Sequence, residues 1–344
     1  MEKERTIPLA QVGVGYWGKN LLRNFAGLPG VEVVAVCDQD PDVLVRLARQ
    51  YPGLATTRRY EDLLKDADIE GVVIATETPQ HFAMAEAALQ AGKHVFVEKP
   101  MAQTTVQAER LVALAEAHER HLMVGHLLLY HPAFCYVEDL IRQGTLGDVY
   151  YLYSVRVNLG IIRQRENALE SLAPHDLSVA LSFLNQKPVA VSAQGQAYLQ
   201  PNIADVAFAT VFFEDGALAH LHTSWLDPHK IRKVTVVGSK KMAVIDDGAA
   251  NEKVRLYDKG VTAQPGEAPY ANYAEAMAIR SGDIHIPKID MQEPLRLECR
   301  HFADCIRTGQ APRTDGRNGL AVVRLLEAAQ QSLVQSGMTV SLLP

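Results

Sequence analysis

The sequence of 344 residues has little cysteine, and what it has is scattered. Cys37, Cys135, Cys299 and Cys305 form no CxxC pair, and no Cys/His run has the spacing of a metal site. A disulfide scaffold is excluded and no metal is expected. The four thiols read as small core fillers in a reducing compartment. Positive charge is not in excess either: 34 Lys and Arg face 40 Asp and Glu, a net charge of −6. A nucleic-acid partner is therefore not expected, because no basic stripe dominates. The cluster from Lys230 to Lys241 is broken by apolar residues at alternate positions, the pattern of a strand with one solvated face. No apolar run approaches the roughly eighteen residues of a membrane span, and the charged N-terminus leads into no apolar leader segment. No membrane partner is expected, and a cytoplasmic protein is. Internal repeats and low-complexity tracts are absent, and the length suits two domains.

What is present begins at residue 13. Gly13-Val14-Gly15-Tyr16-Trp17-Gly18 follows the apolar run Ile7 to Val14 and precedes a helix-like segment, Asn20 to Leu28. A second apolar run, Val31 to Cys37, ends at Asp38, twenty positions past Gly18. This is the layout of a strand–turn–helix–strand unit that holds a dinucleotide. Gly13 permits the tight turn, Gly15 lets backbone approach a pyrophosphate, and Gly18 lets helix and strand lie close. The helix N-terminus offers N–H groups and a partial positive charge to phosphate. A carboxylate at Asp38 accepts from both ribose hydroxyls of NAD and repels the 2′-phosphate of NADP, so NAD is expected over NADP. The other reading of Asp38 is a turn-starting residue ahead of Pro41.

The first 125 residues alternate strand and helix. Helices are expected at Asp42 to Tyr51, Tyr60 to Leu64, His81 to Gly92 and Thr104 to Glu119. Strands are expected at Val72 to Thr76, His94 to Glu98 and His121 to Gly125. Such alternation implies a doubly wound parallel sheet covered on both faces, with an α/β domain over 1–125. After a helix from His131 to Gln143 the pattern changes. Strands dominate from Val149 to Tyr257, interrupted by one helix from about Ser171 to Leu184. This predicts an α+β domain over 126–344 with an open, mainly antiparallel sheet and helices on one face. Gly260 to Pro294 reads as loop, and helices are expected at Pro294 to Thr308 and Gly319 to Ser336.

Ligands of a doubly wound sheet sit outside the carboxyl ends of its strands. Two such ends, Ala75-Thr76-Glu77-Thr78-Pro79-Gln80-His81 and Glu98-Lys99-Pro100, are expected to face a nicotinamide. Thr76, Thr78, Pro79, His81, Glu98 and Lys99 are therefore candidate cofactor contacts, beside Gly13 to Gly18 and Asp38. A cis bond before Pro100 would aim Lys99 into the cleft. The alternative for Lys99 is a solvated loop lysine. Pro174-His175-Asp176 opens the interrupting helix. A neutral imidazole there is suited to take a hydroxyl proton; the alternative is a capping or core histidine.

With Val12 to Gly18, Val36-Cys37-Asp38, Glu98-Lys99-Pro100, Gly125-His126 and Pro174-His175-Asp176 in hand, the whole chain resembles the Gfo/Idh/MocA family of NAD(P)-dependent sugar and inositol oxidoreductases. The resemblance implies an N-terminal Rossmann domain, a second domain whose open sheet makes dimer or tetramer contacts, and Lys99 and His175 as catalytic residues. Asn158-Leu159-Gly160, Leu172 to Ser178 and Ser224-Trp225-Leu226-Asp227-Pro228 look like a branch acting on nucleotide-activated or amino sugars. The implied reaction oxidises a sugar hydroxyl, at C3 of a substrate such as UDP-N-acetylglucosamine. His175 would take the proton, Lys99 would hold the developing alkoxide, and Tyr130, Asn158 and Arg163 would hold the sugar or its phosphates. The alternatives are a core role for Tyr130 and a surface-loop role for Arg163.

The chain departs from the family at one place. The family carries an aspartate four residues before the catalytic histidine, and here that position is Ser171. A serine keeps a hydrogen bond and loses the charge, or it caps the helix. Asp176 does not substitute, because adjacent helical residues point about 100° apart. The competing functions are an inositol or free-sugar dehydrogenase, a 3-keto-sugar reductase and a non-catalytic NAD-binding sensor.

Overall fold

Near-continuous apolar runs in the N-terminal strands are what a sheet covered on both faces requires. The structure, a computed structural model, describes residues 5–263 and 277–343. In chain order the first elements are β1 (Ile7–Val12), α1 (Gly18–Ala26), β2 (Val31–Cys37), α2 (Pro41–Gln50), β3 (Ala55–Thr57), α3 (Tyr60–Lys65), β4 (Gly71–Ile74), α4 (Thr78–Gln90), β5 (His94–Val97), α5 (Thr105–Ala117) and β6 (Leu122–Val124). A short 3-10 turn, Leu127–Tyr130, follows. Then come α6 (Pro132–Arg142), β7 (Val149–Val157), α7 (Ala168–Leu184), β8 (Pro188–Gln196), β9 (Val206–Phe213), β10 (Leu218–Ser224), β11 (Ile231–Gly238), β12 (Met242–Asp246), β13 (Val254–Ala263), β14 (Met277–His285), α8 (Pro294–Thr308), α9 (Gly316–Val334) and β15 (Val340–Ser341).

The chain forms two units: Met1–His131 with Gln292–Glu327, and Pro132–Met291 with Ala328–Pro344. This revises the expected division into 1–125 and 126–344, because a C-terminal stretch returns to the first unit. The reason lies in α8, where Leu295, Cys299, Phe302 and Ile306 are buried against one face of the first sheet with Ile7, Leu9, Val73, Phe96 and Met123. Phe25, Phe96 and Phe302 meet there edge to face, with centroids 5.8–6.2 Å apart. The opposite face packs Val12, Val72, Ile74, Val95 and Val97 against Ala85, Ala88, Leu89 and Leu111 of α4 and α5.

The first sheet is all parallel, in the order β3-β2-β1-β4-β5-β6. The order reverses at β1 and β4, so the turns after these strands flank a switch point, where ligands of such sheets bind.

The second sheet has nine strands in the order β14-β13-β12-β11-β7-β10-β9-β8-β15. Only β7 and β10 pair in parallel; the other neighbours are antiparallel. Its β14 lies in the stretch expected to be loop. It pairs with β13 from Ala263↔Met277 to Leu256↔His285, a gain of cross-strand bonds that outweighs the weak pattern of a glycine- and charge-bearing segment. Residues 264–276 of the expected loop lie outside the described residues. The three-residue β3 and two-residue β15 are too short to show a period.

α7 begins earlier than expected. Asn167, not Ser171, is its N-cap: the Asn167 side chain accepts from the Glu170 N–H at 2.9 Å and Glu170 accepts from the Asn167 N–H at 2.9 Å. This reciprocal pair satisfies two N–H groups that a helix start leaves open. Pro174 therefore lies inside the helix, not in its first turn, and gives up the bond to the Glu170 carbonyl. α7 packs on β7, β9 and β10. At that contact Arg156 of β7 grips Asp176 through Nε at 2.7 Å and an Nη at 3.0 Å, with both side chains buried.

A buried, bidentate pair is costly to break because the surviving charge loses its partner. Arg156→Met is expected to destabilise the protein by about 3–5 kcal/mol. Adding Asp176→Leu should recover most of the loss. Urea unfolding of both variants tests this; an Arg156→Met protein as stable as the parent would show that the pair contributes nothing.

Candidate active site

The glycine turn is held from beneath. Gly13 has φ +84, and a Cβ there would lie 2.6 Å from the Ala75 carbonyl oxygen. A Cβ on Gly18 would run into the Gly13 carbonyl, so α1 is close to the turn only because Gly18 has none. Gly15 differs: a Cβ there would meet no atom within 4 Å. Gln11, buried in β1, donates its amide to the carbonyls of Gly13 at 2.9 Å and Gly18 at 2.8 Å. Its only sequence signal is a polar residue in an apolar strand. Asp38 closes the turn on the β2 side. One carboxylate oxygen accepts from the Val14 N–H at 2.7 Å, the other from the Asp40 N–H at 3.0 Å. Tyr16 and Trp17 stand outward on the turn.

Trp17 connects this turn to the next strand end. Its indole N–H donates to Glu98 Oε1 at 2.5 Å, and the Lys99 backbone N–H donates to Glu98 Oε2 at 3.2 Å. Glu98 is buried, and its carboxyl packs over Gly125, where a Cβ would meet it at 3.1 Å. Burial pushes the Glu98 carboxyl up to about 7, against the opposing pull of Lys99 and the two donors. Lys99 follows at the carboxyl end of β5, half-buried, and the Lys99–Pro100 bond is cis.

Two candidate contacts need correction. His81 is buried; its Nδ1 lies 2.8 Å from the Pro100 carbonyl oxygen and its Nε2 3.1 Å from that of Thr76. Its ring lies between two strand ends, with one N–H to donate to one of these carbonyls, and is not presented to a cofactor. Tyr130 is a core residue. Its hydroxyl lies 3.0 Å from Thr314 Oγ1 and its ring is buried with Phe96 and Phe302, so it does not hold sugar. Thr76 stays at the end of β4, with its hydroxyl 3.7 Å from Met84 Sδ, and Thr78 and Pro79 form the first turn of α4.

Two further groups near this loop were given no role by the sequence reading. His126 is 1% exposed, and neither ring nitrogen has a hydrogen-bond partner among the described residues. Burial, with Lys99 adding to it, holds its pKa down to about 3, so the ring is neutral. Glu298 of α8 is fully buried, and burial reinforced by Glu98 raises its pKa well above the carboxylate range.

The other candidates are on the second unit. Asn158 follows β7, its N–H donating to the Ser224 carbonyl at 3.1 Å. Asp205, before β9 and also missed in the sequence, accepts from the Trp225 indole at 2.5 Å and from the Tyr198 and Leu199 N–H groups at 2.7 and 2.9 Å. Arg163 lies on the exposed loop before α7, with Nε 3.4 Å from Glu166. Ser171 and His175 are one turn apart on α7 and both half-buried. Ser171 is the fourth helical residue, so it does not cap the helix.

The turn fits a dinucleotide. The open space over Gly15 admits a pyrophosphate, α1 begins three residues on at Gly18 with the positive end of its dipole towards the turn, and Asp38 stands just past the end of β2. A parallel sheet in this order, with this turn and a lysine at the end of β5, defines an NAD-binding oxidoreductase of the Rossmann type.

Comparison with known proteins agrees. Residues 7–126 match the oxidoreductase family with NAD-binding Rossmann fold, and residues 134–244 match the GFO/IDH/MocA C-terminal domain. The UDP-N-acetylglucosamine 3-dehydrogenase of Acidithiobacillus ferrooxidans is 30% identical over 328 residues, 93% of this chain and 94% of that one. Its solved structure aligns with TM-score 0.79 at 24% identity, covering 95% of this chain and 98% of that one. The D-apiose dehydrogenase of Paraburkholderia graminis is 26% identical over 354 residues, 97% of this chain and 89% of that one. The fold is shared with GenD2 from gentamicin A biosynthesis, solved in complex with NAD, at TM-score 0.82 and 22% identity, covering 100% and 98% of the two chains. The chain belongs to the Gfo/Idh/MocA oxidoreductase family. It is an NAD(P)-dependent sugar oxidoreductase.

The raised Glu98 carboxyl has a consequence for stability. From the ordinary value of 4.5 up to about 7, the folded protein keeps a proton that the unfolded chain has released. Stability therefore falls as pH rises through that window. Glu98→Gln should flatten the dependence, a change on the order of 3 kcal/mol between the two ends. Unfolding free energies measured from pH 4.5 to 7.5 on both proteins decide it; equal slopes would place the Glu98 carboxyl in the ordinary range.

Proposed function

We propose that this protein oxidises a secondary hydroxyl of a nucleotide-activated or amino sugar, at C3 of a substrate such as UDP-N-acetylglucosamine, with NAD as acceptor. The observation that carries the reading is Lys99, set at the carboxyl end of β5 by the buried Glu98 that also binds Trp17 of the glycine turn. The relative named UDP-N-acetylglucosamine 3-dehydrogenase, similar over nearly the whole chain, supports the choice of sugar.

When bound, NAD supplies the hydride acceptor. Gly13, Val14, Gly15, Tyr16, Trp17 and Gly18 with the N-terminus of α1 hold its pyrophosphate. Asp38 accepts from the ribose hydroxyls, which favours NAD over NADP. Thr76, Thr78 and Pro79 border the nicotinamide end. Lys99 donates to the sugar hydroxyl and stabilises the alkoxide that develops, an effect worth a few kcal/mol. His175, as a neutral imidazole, takes the hydroxyl proton. Asn158 binds sugar hydroxyls, and the planar fork of Arg163 suits a diphosphate.

The same chain is proposed to act as a homodimer or homotetramer through the second sheet. Tyr151 and Tyr153 of β7, on either side of buried Leu152, and Phe208 of β9, between buried Ala207 and Ala209, are each about 40% exposed. Leu218 lies in register beside Tyr151, and His222 stacks on Phe208 with centroids 4.4 Å apart. A row of exposed aromatics on one sheet face suits a second copy of that face. Light scattering should report two or four subunits, reduced to one by Tyr153→Asp with Phe208→Asp. A monomeric parent protein would remove the proposal.

A panel of UDP-N-acetylglucosamine, other UDP sugars, free sugars and myo-inositol, followed by NADH absorbance, tests the substrate. UDP-N-acetylglucosamine should be oxidised fastest, with Lys99→Ala slowing turnover by at least about a thousandfold while NAD binding stays within a few-fold. Preference for inositol or a free sugar would overturn the substrate. Failure with every sugar while NAD still binds would favour the sensor reading.

A further inference from the structure

Four strands of the second sheet end together. Val157 of β7 is in register with Ser224 of β10, Ser224 with Val206 of β9, and Val206 with Gln196 of β8. The chain passes this edge in three segments: 158–167 after β7, 197–205 between β8 and β9, and 225–230 after β10. Their large apolar side chains are not buried. Leu159 is 70% exposed and Tyr198 67%, and Ile161, Leu199 and Leu226 are exposed too. Segments that bury so little have no core to fix them, and hydrogen bonds take that place.

Those bonds meet at Asp205, which is fully buried. Its Oδ1 accepts from the Trp225 indole at 2.5 Å, and its Oδ2 from the Tyr198 and Leu199 N–H groups at 2.7 and 2.9 Å. Burial opposes the charge, the three donors outweigh burial, and the carboxyl titrates below its ordinary value. Hydrogen bonds to an ionised acceptor are stronger than neutral ones. From these two anchored segments the bonds run on to the third. The Trp225 carbonyl accepts from the Gly160 N–H at 3.3 Å, and the Ser224 carbonyl from the Asn158 N–H at 3.1 Å. Gln200, one residue past Leu199, donates its side-chain amide to the Arg163 carbonyl at 2.8 Å. The stretch 158–163 is therefore held at both ends, by way of Trp225 and by way of 198–200.

We propose that Asp205 is a positioning residue: by fixing Trp225 and the 198–200 segment it sets the backbone of 158–163, from which Asn158 and Arg163 reach the sugar and its diphosphate. This rests on the proposed roles of Asn158 and Arg163. Asp205 is buried and acts through these neighbours. Asn158 and Arg163 hold parts of the substrate away from the reacting hydroxyl. A loosened segment therefore weakens ground state and transition state alike, which raises KM and leaves kcat.

The first test variant is Trp225→Phe, which keeps an aromatic ring and removes one donor. The second is Asp205→Asn, whose amide cannot accept on both sides. Hydrogen–deuterium exchange is read by mass spectrometry on the full-length protein without substrate. Peptides covering 158–163 should exchange about tenfold faster in Trp225→Phe, with those of β11 and of the first unit unchanged. With UDP-N-acetylglucosamine as substrate, Trp225→Phe should raise KM about tenfold, with kcat within about twofold and NAD affinity unchanged. Asp205→Asn should raise KM at least as far; if it does not fold, Trp225→Phe decides. Unchanged exchange over 158–163 in Trp225→Phe overturns the proposal whatever the activity. An unchanged KM in a protein that oxidises the nucleotide sugar overturns it as well. So does exchange that rises throughout the second unit while kcat falls, since that marks a merely structural bond. Faster exchange confined to 158–163 in a protein that oxidises no sugar upholds the hold of Asp205 on this segment and removes the substrate reading alone.

Discussion

Glu98 ends β5 with a carboxyl buried over Gly125, and two donors converge on it, the Trp17 indole and the Lys99 N–H. A parallel sheet brings the carboxyl ends of β1, β2, β4 and β5 to one edge, where the turns leave backbone groups that the ladder does not satisfy. Side chains close that edge. Asp38 takes the Val14 N–H, Gln11 takes the carbonyls of Gly13 and Gly18, and His81 spans Thr76 and Pro100. Glu98 joins the first of these turns to the last, so glycine turn and lysine loop form one bonded surface. Burial makes the junction sensitive to protonation, since a carboxyl over apolar backbone gains little from water. Neutral His126 keeps further charge out of the same interior, where burial also raises the pKa of the Glu298 carboxyl.

In the second unit the corresponding anchor is the grip of Arg156 on Asp176. It fixes α7 against β7 one residue past His175. The Asn167–Glu170 cap fixes where the helix begins, and that start sets which residues share a face with the histidine. Because α7 starts at Ala168, Ser171 is inside its first turn and a half, with its hydroxyl on Glu166. A helix starting at Ser171 would have committed that hydroxyl to backbone N–H groups. Local capping chemistry therefore decides the surroundings of the histidine.

Most of the first unit was legible in the sequence. Strands such as Val31–Cys37 and helices such as Pro41–Gln50, with Asp40 and Pro41 at its start, carry period and punctuation together. The glycine turn, Asp38 and Lys99 were legible because each has a narrow chemical reason to stand at its position. Tyr130 and His81 were misread as contacts because an aromatic or imidazole near a strand end looks the same whether it faces in or out. Gln11, Trp17 as a partner of Glu98, Glu166 and Asp205 were not read as such, since their roles rest on partners distant in sequence or on where a helix begins. β14 was hidden because its glycine and charges mask the alternation that pairing with β13 makes tolerable.

The sequence alone determined the α/β character of the first unit, the glycine turn with Asp38 twenty positions past Gly18, and the serine at position 171. These are local matters, set by period, by backbone freedom at glycine and by charge at a defined spacing. Tertiary structure alone decided that α8 belongs to the first sheet, that Tyr130 is core, that Asp176 is spent on Arg156, and that Ser171 meets Glu166. Each of these depends on which apolar face finds a partner and which buried charge finds its counter-charge, and no one-dimensional pattern states either.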